Sequence, residues 1–317
     1  MDIVLAGSIS YDYIMHYQGA FAALFPSQSV DTFQVTFPVD NMHQHMGGVS
    51  ANIAYSLALL GGKPRLFGTV GTDFEPYRER LEQVGVDTST VMVIEDDVTA
   101  IFFANTDTNN NQLGVFYAGA MRYADQYSIE QYVPAIPDLV VISPNAPQAM
   151  SNQIEECRLA KIPYVFDPSQ QTIILPPEVL RQGIEGAYAI ACNDYEWDVI
   201  QHRTGLTLGD VEHAIFIHTL GEKGAAIYAE GQQYIIPSYQ ANEVVNPTGA
   251  GDAFRAGLLR GISLGFGWNL AGRMGALCAT YALEQHGTQT HSFGYNEFAQ
   301  RLRTTYDDQG QLDIFVG

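Results

Sequence analysis

Short apolar runs that end in glycine or a polar residue alternate along this chain with segments of helical spacing. Ile3–Ala6, Arg65–Val70, Leu139–Ile142, Tyr164–Phe166, Tyr188–Ala191 and Ile215–His218 read as strands buried on both faces, because they lack a polar alternation. Between them, Asn52–Leu60, Tyr77–Val84, Asn152–Leu159 and Glu196–His202 have helical spacing or composition. Gly61-Gly62 and Gly85 are placed to stop two of these helices. Such alternation confines the fold to α/β, with a mostly parallel central sheet and helices on both faces. Ligands then gather at the carboxyl ends of the strands.

Two stretches break the pattern. Residues 14–46 and 91–122 are rich in Thr, Val, Phe and Tyr with period-two character, as in Phe33-Gln34-Val35-Thr36-Phe37 and Ala100-Ile101-Phe102-Phe103-Ala104. They meet as a small β lid over the site, or they extend the edge of the main sheet. The expected division is a large α/β domain (1–13, 47–90 and 123–317) and a small β lid (14–46 and 91–122). After Gly221 a hairpin pattern, Ala225–Tyr228 and Gln233–Ile236, leads to a short run at Glu243–Val245. Helical segments at Ala253–Leu259 and Asn269–Glu284 follow.

Composition narrows the partners. The 317 residues are 46% hydrophobic and 16% charged, which suits a packed core. The net charge of −20, from 35 acidic against 15 basic residues, repels phosphodiester backbones and anionic lipid. Nucleic acid and membrane surfaces are therefore not expected partners, and any phosphate must be met by amides, a few cations or a metal. Cys157, Cys192 and Cys278 are odd in number, widely spaced and set in apolar runs, as buried free thiols of a reducing compartment are. Met1–Gly7 reads as a first strand and not as a signal peptide, and no apolar run approaches the roughly 18 residues of a membrane span. A soluble, cytoplasmic protein is the expectation.

The segment richest in chemistry is Asn246-Pro247-Thr248-Gly249-Ala250-Gly251-Asp252-Ala253-Phe254. Small residues run straight into a helix pattern, so Gly249, Ala250 and Gly251 can present amides to an anion at the helix N-terminus. Asp252 then lies in the first turn, where it serves either as a base for an attacking hydroxyl or simply as a partner of the helix dipole. No Lys-Ser/Thr follows the glycines, and position 254 is Phe, so neither a Walker A loop nor a dinucleotide fingerprint is present. Met46-Gly47-Gly48-Val49-Ser50-Ala51-Asn52 is a second glycine turn before a helix. There Asn52 offers donor and acceptor to vicinal hydroxyls, and Ser8 and Asp12 stand near the first strand. Asn193 and Glu196, three apart after a buried strand, either hold a hydrated Mg²⁺ or cap the helix. Thr219, Gly221 and Gly224 form another permissive strand end suited to a nucleotide. His43 and His45 are too few for a metal site without further ligands.

Taken in this order, the segments resemble the ribokinase-like (PfkB) carbohydrate kinase family. Gly47-Gly48 through Asn52 and Ala54, then Gly61 and Gly71, follow its N-terminal signature, with Ser50 where Gly, Ala or Pro is usual. Asn246 through Leu259 fit its C-terminal signature, and Asn193 with Glu196 matches its Asn-x-x-Glu motif. The likeness spans essentially the whole chain and looks closest to the bacterial adenosine kinase branch. Gly7-Ser8-Ile9, Asp12, Phe116-Tyr117, Gly119-Ala120-Met121, Asp167-Pro168-Ser169-Gln170-Gln171, Asn193–Trp197 and Gly287-Thr288-Gln289 carry that part.

The resemblance implies a three-layer α/β sandwich with a β lid, and transfer of the γ-phosphoryl of MgATP to the 5′-hydroxyl of adenosine. It implies Asp252 as base and residues 249–251 as the anion hole. Ser8, Asp12, Gly47, Gly48 and Asn52 would line the sugar, with Phe102 and Phe116 sandwiching the purine. ATP would lie near Asn193, Thr219, Gly221, Gly224, Cys278 and Ala282, and Asn193 with Glu196 would arrange Mg²⁺ through water. Asn246 replaces an Asp found in many relatives, which counts against K⁺ activation. A homodimer through the lid edge is compatible with such a sheet. Two rival readings are a sugar kinase of the same family and a nucleoside-binding sensor without catalysis.

Overall fold

The computed structural model describes residues 1–24, 32 and 34–315. Strands β1 (Ile3–Ala6), β2 (Ser10–His16), β3 (Asn41–Gly47), β4 (Arg65–Gly71), β5 (Val91–Ile94), β6 (Ala100–Thr106) and β7 (Gln112–Tyr117) come first. Then follow β8 (Leu139–Ile142), β9 (Tyr164–Phe166), β10 (Ala189–Asn193), β11 (Ile215–Thr219), β12 (Ala225–Ala229) and β13 (Gln232–Ile236). The helices are α1 (Val49–Leu59), α2 (Glu75–Val84), α3 (Ile129–Tyr132), α4 (Pro147–Ala160) and α5 (Pro177–Glu185). They continue with α6 (Asp194–Thr204), α7 (Ala250–Ser263), α8 (Trp268–Leu283) and α9 (Tyr295–Arg303).

Nine strands form the large sheet in the order β13-β12-β11-β10-β9-β8-β1-β4-β5. Pairing is parallel from β5 to β11, and β12 pairs antiparallel with both β11 and β13. Alternate side chains of each central strand enter two separate cores, because successive Cβ atoms point to opposite faces. Leu5, Val141 and Ala191 join α1, α7 and α8 on one face. Val4, Val140 and Ile190 join α4, α5 and α6 on the other. Both faces are covered, so these strands tolerate no polar position, and the result is a three-layer sandwich. Gly85 ends α2 at φ 101°, the left-handed conformation that glycine adopts without a Cβ penalty.

A separate four-stranded sheet has the order β3-β2-β6-β7. It starts earlier than expected, at Ser10, and its partner strand runs to Gly47. Val91–Ile94, expected in this small sheet, instead pairs with β4 at the edge of the large one. Of the period-two run at 33–37, Gln34–Phe37 is irregular and Phe33 lies outside the described residues. Glu243–Val245 is likewise no strand: Val245 N–H donates to the carbonyl of Leu283 on α8 at 2.8 Å. A β-branched run without a neighbouring strand edge has nothing to pair with. No described helix is long and apolar enough to cross a membrane.

Candidate active site

The amino end of α7 sits at the carboxyl ends of the parallel strands. Gly249 caps it at φ 82°, and a Cβ there would come within 2.7 Å of Thr288 Cγ2. Glycine is required here both by backbone conformation and by space. Ala250 N–H closes a turn onto the carbonyl of Pro247 at 3.3 Å. The amides of Gly251 and Asp252 lie in the first turn, where a helix supplies no acceptor of its own. Of the expected 249–251 set, Ala250 is thus the amide engaged within the protein.

Asp252 is buried, and its Oδ2 accepts a 2.8 Å hydrogen bond from Asn52 Nδ2. Burial pushes its carboxyl up to about 6, against the opposing Arg255 guanidinium and the Asn52 hydrogen bond. Arg255 follows one turn later on the same helix. Its Nη1 stands 3.7 Å from Asp252 Oδ1, while Nε and Nη2 reach the two oxygens of the fully buried Asp167 at 2.6 and 2.7 Å. Arg255 was not among the expected site residues. Its partner Asp167 is 88 residues away, beyond the reach of any local pattern.

Asn52 is held from behind. Its Oδ1 accepts from Thr288 Oγ1 at 2.8 Å and Gln289 Nε2 at 2.9 Å, which fixes the amide so that its N–H groups face Asp252. Gln289 also donates to Tyr77 Oη, and Tyr77 in turn donates to the Gly47 carbonyl at 2.8 Å. Tyr77, Thr288 and Gln289 were absent from the candidate residues. One acceptor of Asn52 is therefore already committed, and a single N–H is left for a ligand.

The glycine pair packs tightly against the first loop. A Cβ on Gly48, at φ 93°, would meet Ser8 O at 2.5 Å and Ser10 N at 2.7 Å, and one on Gly47 would meet the Asp12 carboxylate at 2.3 Å. These glycines admit the protein's own first loop and the Asp12 side chain at close range. Ser8 Oγ accepts from Val49 N–H at 3.0 Å, so Ser8 supports the start of α1. Ser50, the departure from the signature, uses its hydroxyl to reach the Ser8 carbonyl at 2.8 Å. Asp12 is half-buried; desolvation pushes its carboxyl up to about 6, opposed by the Ser10 hydroxyl and helped by the nearby Asp252 charge.

Register places four side chains in one row across the small sheet. His45 lies opposite Asp12, Asp12 opposite Phe102, and Phe102 opposite Phe116. Directly opposed residues share a face. Phe102 and Phe116 thus occupy the face that carries Asp12, and Phe116 is 49% exposed.

At the other side of the cleft, Asn193 and Glu196 form a reciprocal capping box: Glu196 N–H donates to Asn193 Oδ1 at 2.8 Å, and Asn193 N–H to Glu196 Oε2 at 2.9 Å. Helix capping consumes Asn193 Oδ1 and leaves Glu196 Oε1 uncommitted. Glu196, Asp167 and Asp252 lie within electrostatic reach of each other and of one guanidinium, Arg255. That surplus of buried negative charge fits a hydrated divalent cation beside a nucleotide. Among the described residues no group of three His, Cys, Asp or Glu forms a direct metal cage.

Thr219 and Gly221 are open at the end of β11, with Gly221 at φ 59° and nothing within 4 Å of an added Cβ. Gly224 instead makes room for the end of β13, whose Ile236 carbonyl would lie 2.0 Å from a Cβ. Cys278 and Ala282, expected along a nucleotide, are enclosed in the core, and burial pushes the Cys278 thiol up to about 12. Both belong to the core that α8 forms with α7 and the β12–β13 edge of the large sheet. Asn246 Oδ1 accepts from Thr248 N–H at 2.9 Å and so serves a local turn.

Known proteins share this fold. The nucleoside kinase of Burkholderia thailandensis in complex with inosine superposes with a TM-score of 0.87 at 34% identity, covering 96% of this chain and 98% of that one. The nucleoside kinase of Methanocaldococcus jannaschii gives a TM-score of 0.85 at 26% identity, covering 96% and 99%. A nucleoside kinase of Methanothermobacter thermautotrophicus is 30% identical over 309 residues, 95% of each chain. The family model for pfkB family carbohydrate kinases matches residues 3–293. The chain belongs to the pfkB family of carbohydrate kinases and is an ATP-dependent phosphotransferase with an alcohol group as acceptor.

Proposed function

We propose that this kinase is a nucleoside kinase that transfers the γ-phosphoryl group of ATP to the 5′-hydroxyl of adenosine or a neighbouring purine nucleoside. The observation that carries the reading is the buried Asp252 carboxylate, oriented by Asn52 at the start of α7, with free amides in the same turn. A carboxylate with its pKa near 6 is a stronger base than an ordinary one and is still ionised at neutral pH. Asp252 takes the hydroxyl proton as the oxygen attacks phosphorus. The first-turn amides meet charge growing on the transferred group, each donor typically worth about 2.7–4 kcal/mol. Arg255, pinned by Asp167, fixes Asp252 and offsets part of its charge.

The remaining residues bind. Asp12 and the spare N–H of Asn52 take ribose hydroxyls, and Phe102 and Phe116 offer flat faces to a base. The small sheet acts as a lid that carries these groups. Glu196 would hold Mg²⁺ through water, and the metal supplies charge neutralisation on the nucleotide phosphates. The nucleotide would lie toward Thr219 and Gly221. Similarity to nucleoside kinases, one of them complexed with inosine, supports a nucleoside acceptor. Turnover with ATP and a panel of adenosine, inosine, guanosine, cytidine, ribose and fructose tests it. Purine nucleosides should give the highest kcat/KM. Preference for a free sugar would overturn the reading in favour of a sugar kinase, and tight adenosine binding with zero turnover would make the chain a sensor.

A further inference from the structure

A second feature lies beneath the same helix, away from Asp252. Along β10 the side chains turned toward α7 are only Ala189 and Ala191, whereas the flanking strands present Val165 and Ile217 there. The two methyl groups leave the sheet short of the helix. A cavity of 240 Å³ remains between β10 and Leu258, Leu259 and Ile262 of α7. Its mouth is at the amino ends of the strands, ringed by Met1, Asp138, Tyr188 and Trp268, the end of the sheet opposite the active site. Arg255, about two turns up α7 from Ile262 and so toward the active site, also lines it. From Ile262 to Arg255 the helix rises about 10 Å, so the cavity follows α7 for nearly its full lower half.

Protein interiors leave few voids larger than a water molecule. An apolar void of about 150 Å³ stays dry and accepts benzene, so a larger one with a largely apolar lining is a competent binding site. We propose that this cavity is a second ligand site, for an uncharged apolar molecule of one or two fused rings, and that its occupancy is felt at the active site through Arg255. The lining selects this chemistry. Its buried charge is Arg255, already engaged by Asp167 at 2.6 and 2.7 Å, so an anion gains no free partner and a cation meets repulsion. Coupling follows from the position of Arg255, whose Nη1 is 3.7 Å from Asp252 Oδ1. An occupant pressing on the Arg255 stem changes that separation and with it the setting of Asp252. Binding needs nothing from the kinase reading, while the coupling rests on Asp252 as the base.

Indole is a suitable probe. Calorimetric titration of indole into the wild-type chain, Asp252→Asn and Ala191→Leu separates the two parts. Wild type and Asp252→Asn should bind alike, and Ala191→Leu, which fills the cavity, at least about tenfold more weakly. Saturating indole should change the wild-type affinity for its preferred nucleoside about fivefold or more, and the nucleoside should change the indole affinity by the same factor. Ala191→Leu should keep its turnover and lose this response. If Ala191→Leu does not fold, Ala189→Val takes its place. Absence of indole binding to wild type, or equal binding to the filled variant, overturns the site. Binding without any effect on nucleoside affinity overturns the coupling. Indole binding that persists in a chain inactive on every nucleoside and sugar refutes the proposed function and upholds the site.

Discussion

Asp252→Asn should cost this enzyme most of its turnover and make it more stable at the same time. Asparagine is nearly isosteric, and its Oδ1 can still accept the hydrogen bond now given by Asn52 at 2.8 Å. Loss of a general base is worth roughly 10²–10⁴ in rate. The stability effect comes from the same burial that tunes the base. The carboxyl titrates near 6 in the folded chain against an ordinary 3.8. A carboxyl raised on folding gives its full stability below the unfolded pKa and loses it as pH rises through the folded one. Ionisation of Asp252 therefore costs about 3 kcal/mol above pH 6, at 1.36 kcal/mol per pH unit of displacement. The neutral amide removes that cost. At about 2 °C per kcal/mol for a chain of this size, Tm should rise by roughly 4–6 °C at pH 8. The gain should shrink between pH 6 and 3.8 and vanish below. Steady-state kinetics with the preferred nucleoside and calorimetric melting at pH 4, 6 and 8 measure both. Near-wild-type kcat would remove Asp252 from the chemistry, and a lowered Tm at pH 8 would refute the claim that its charge is held against burial.

Other perturbations probe the surrounding parts. Phe102→Ala should weaken adenosine by about 1–3 kcal/mol in KM, the range of a base stacked on an aromatic ring, and leave ribose nearly unchanged; equal losses for both would mean that the ring meets no base. Arg255→Met leaves Asp167 as an uncompensated buried charge and should destabilise the fold by about 3–5 kcal/mol in urea unfolding at pH 8. Gly48→Ala forces a Cβ to within 2.5 Å of the Ser8 carbonyl at φ 93°, so melting should show a loss of at least about 2 kcal/mol; a Tm within a degree of wild type would mean that the first loop is free to move. Glu196→Gln should raise the Mg²⁺ concentration for half-maximal rate while the capping box keeps Tm close to wild type, and an unchanged Mg²⁺ dependence would take Glu196 out of the metal's surroundings.

The layered fold was legible because burial on two faces leaves a plain mark: strands such as Leu139–Ile142 and Tyr164–Phe166 must be apolar throughout, and helices between them must carry a stripe. The second sheet was less so. Strands Gln112–Tyr117 and Asn41–Gly47 are largely exposed, so burial does not constrain their composition, and Val91–Ile94 looks the same whether it joins one sheet or the other. Of the site, the sequence determined the local pieces: a glycine-capped helix start with Asp252 in its first turn, and the Asn193–Glu196 spacing. Only the tertiary structure decided what those pieces touch. The amide of Asn52 points at a carboxylate 200 residues away, and Arg255 pairs with Asp167 across the sheet. Gly48 admits the backbone of the first loop, and Gly47 admits the Asp12 carboxylate. Spacing along a chain fixes direction within one element, because helix and strand periods are short. Contacts between elements depend on layer order and register, which no local period encodes.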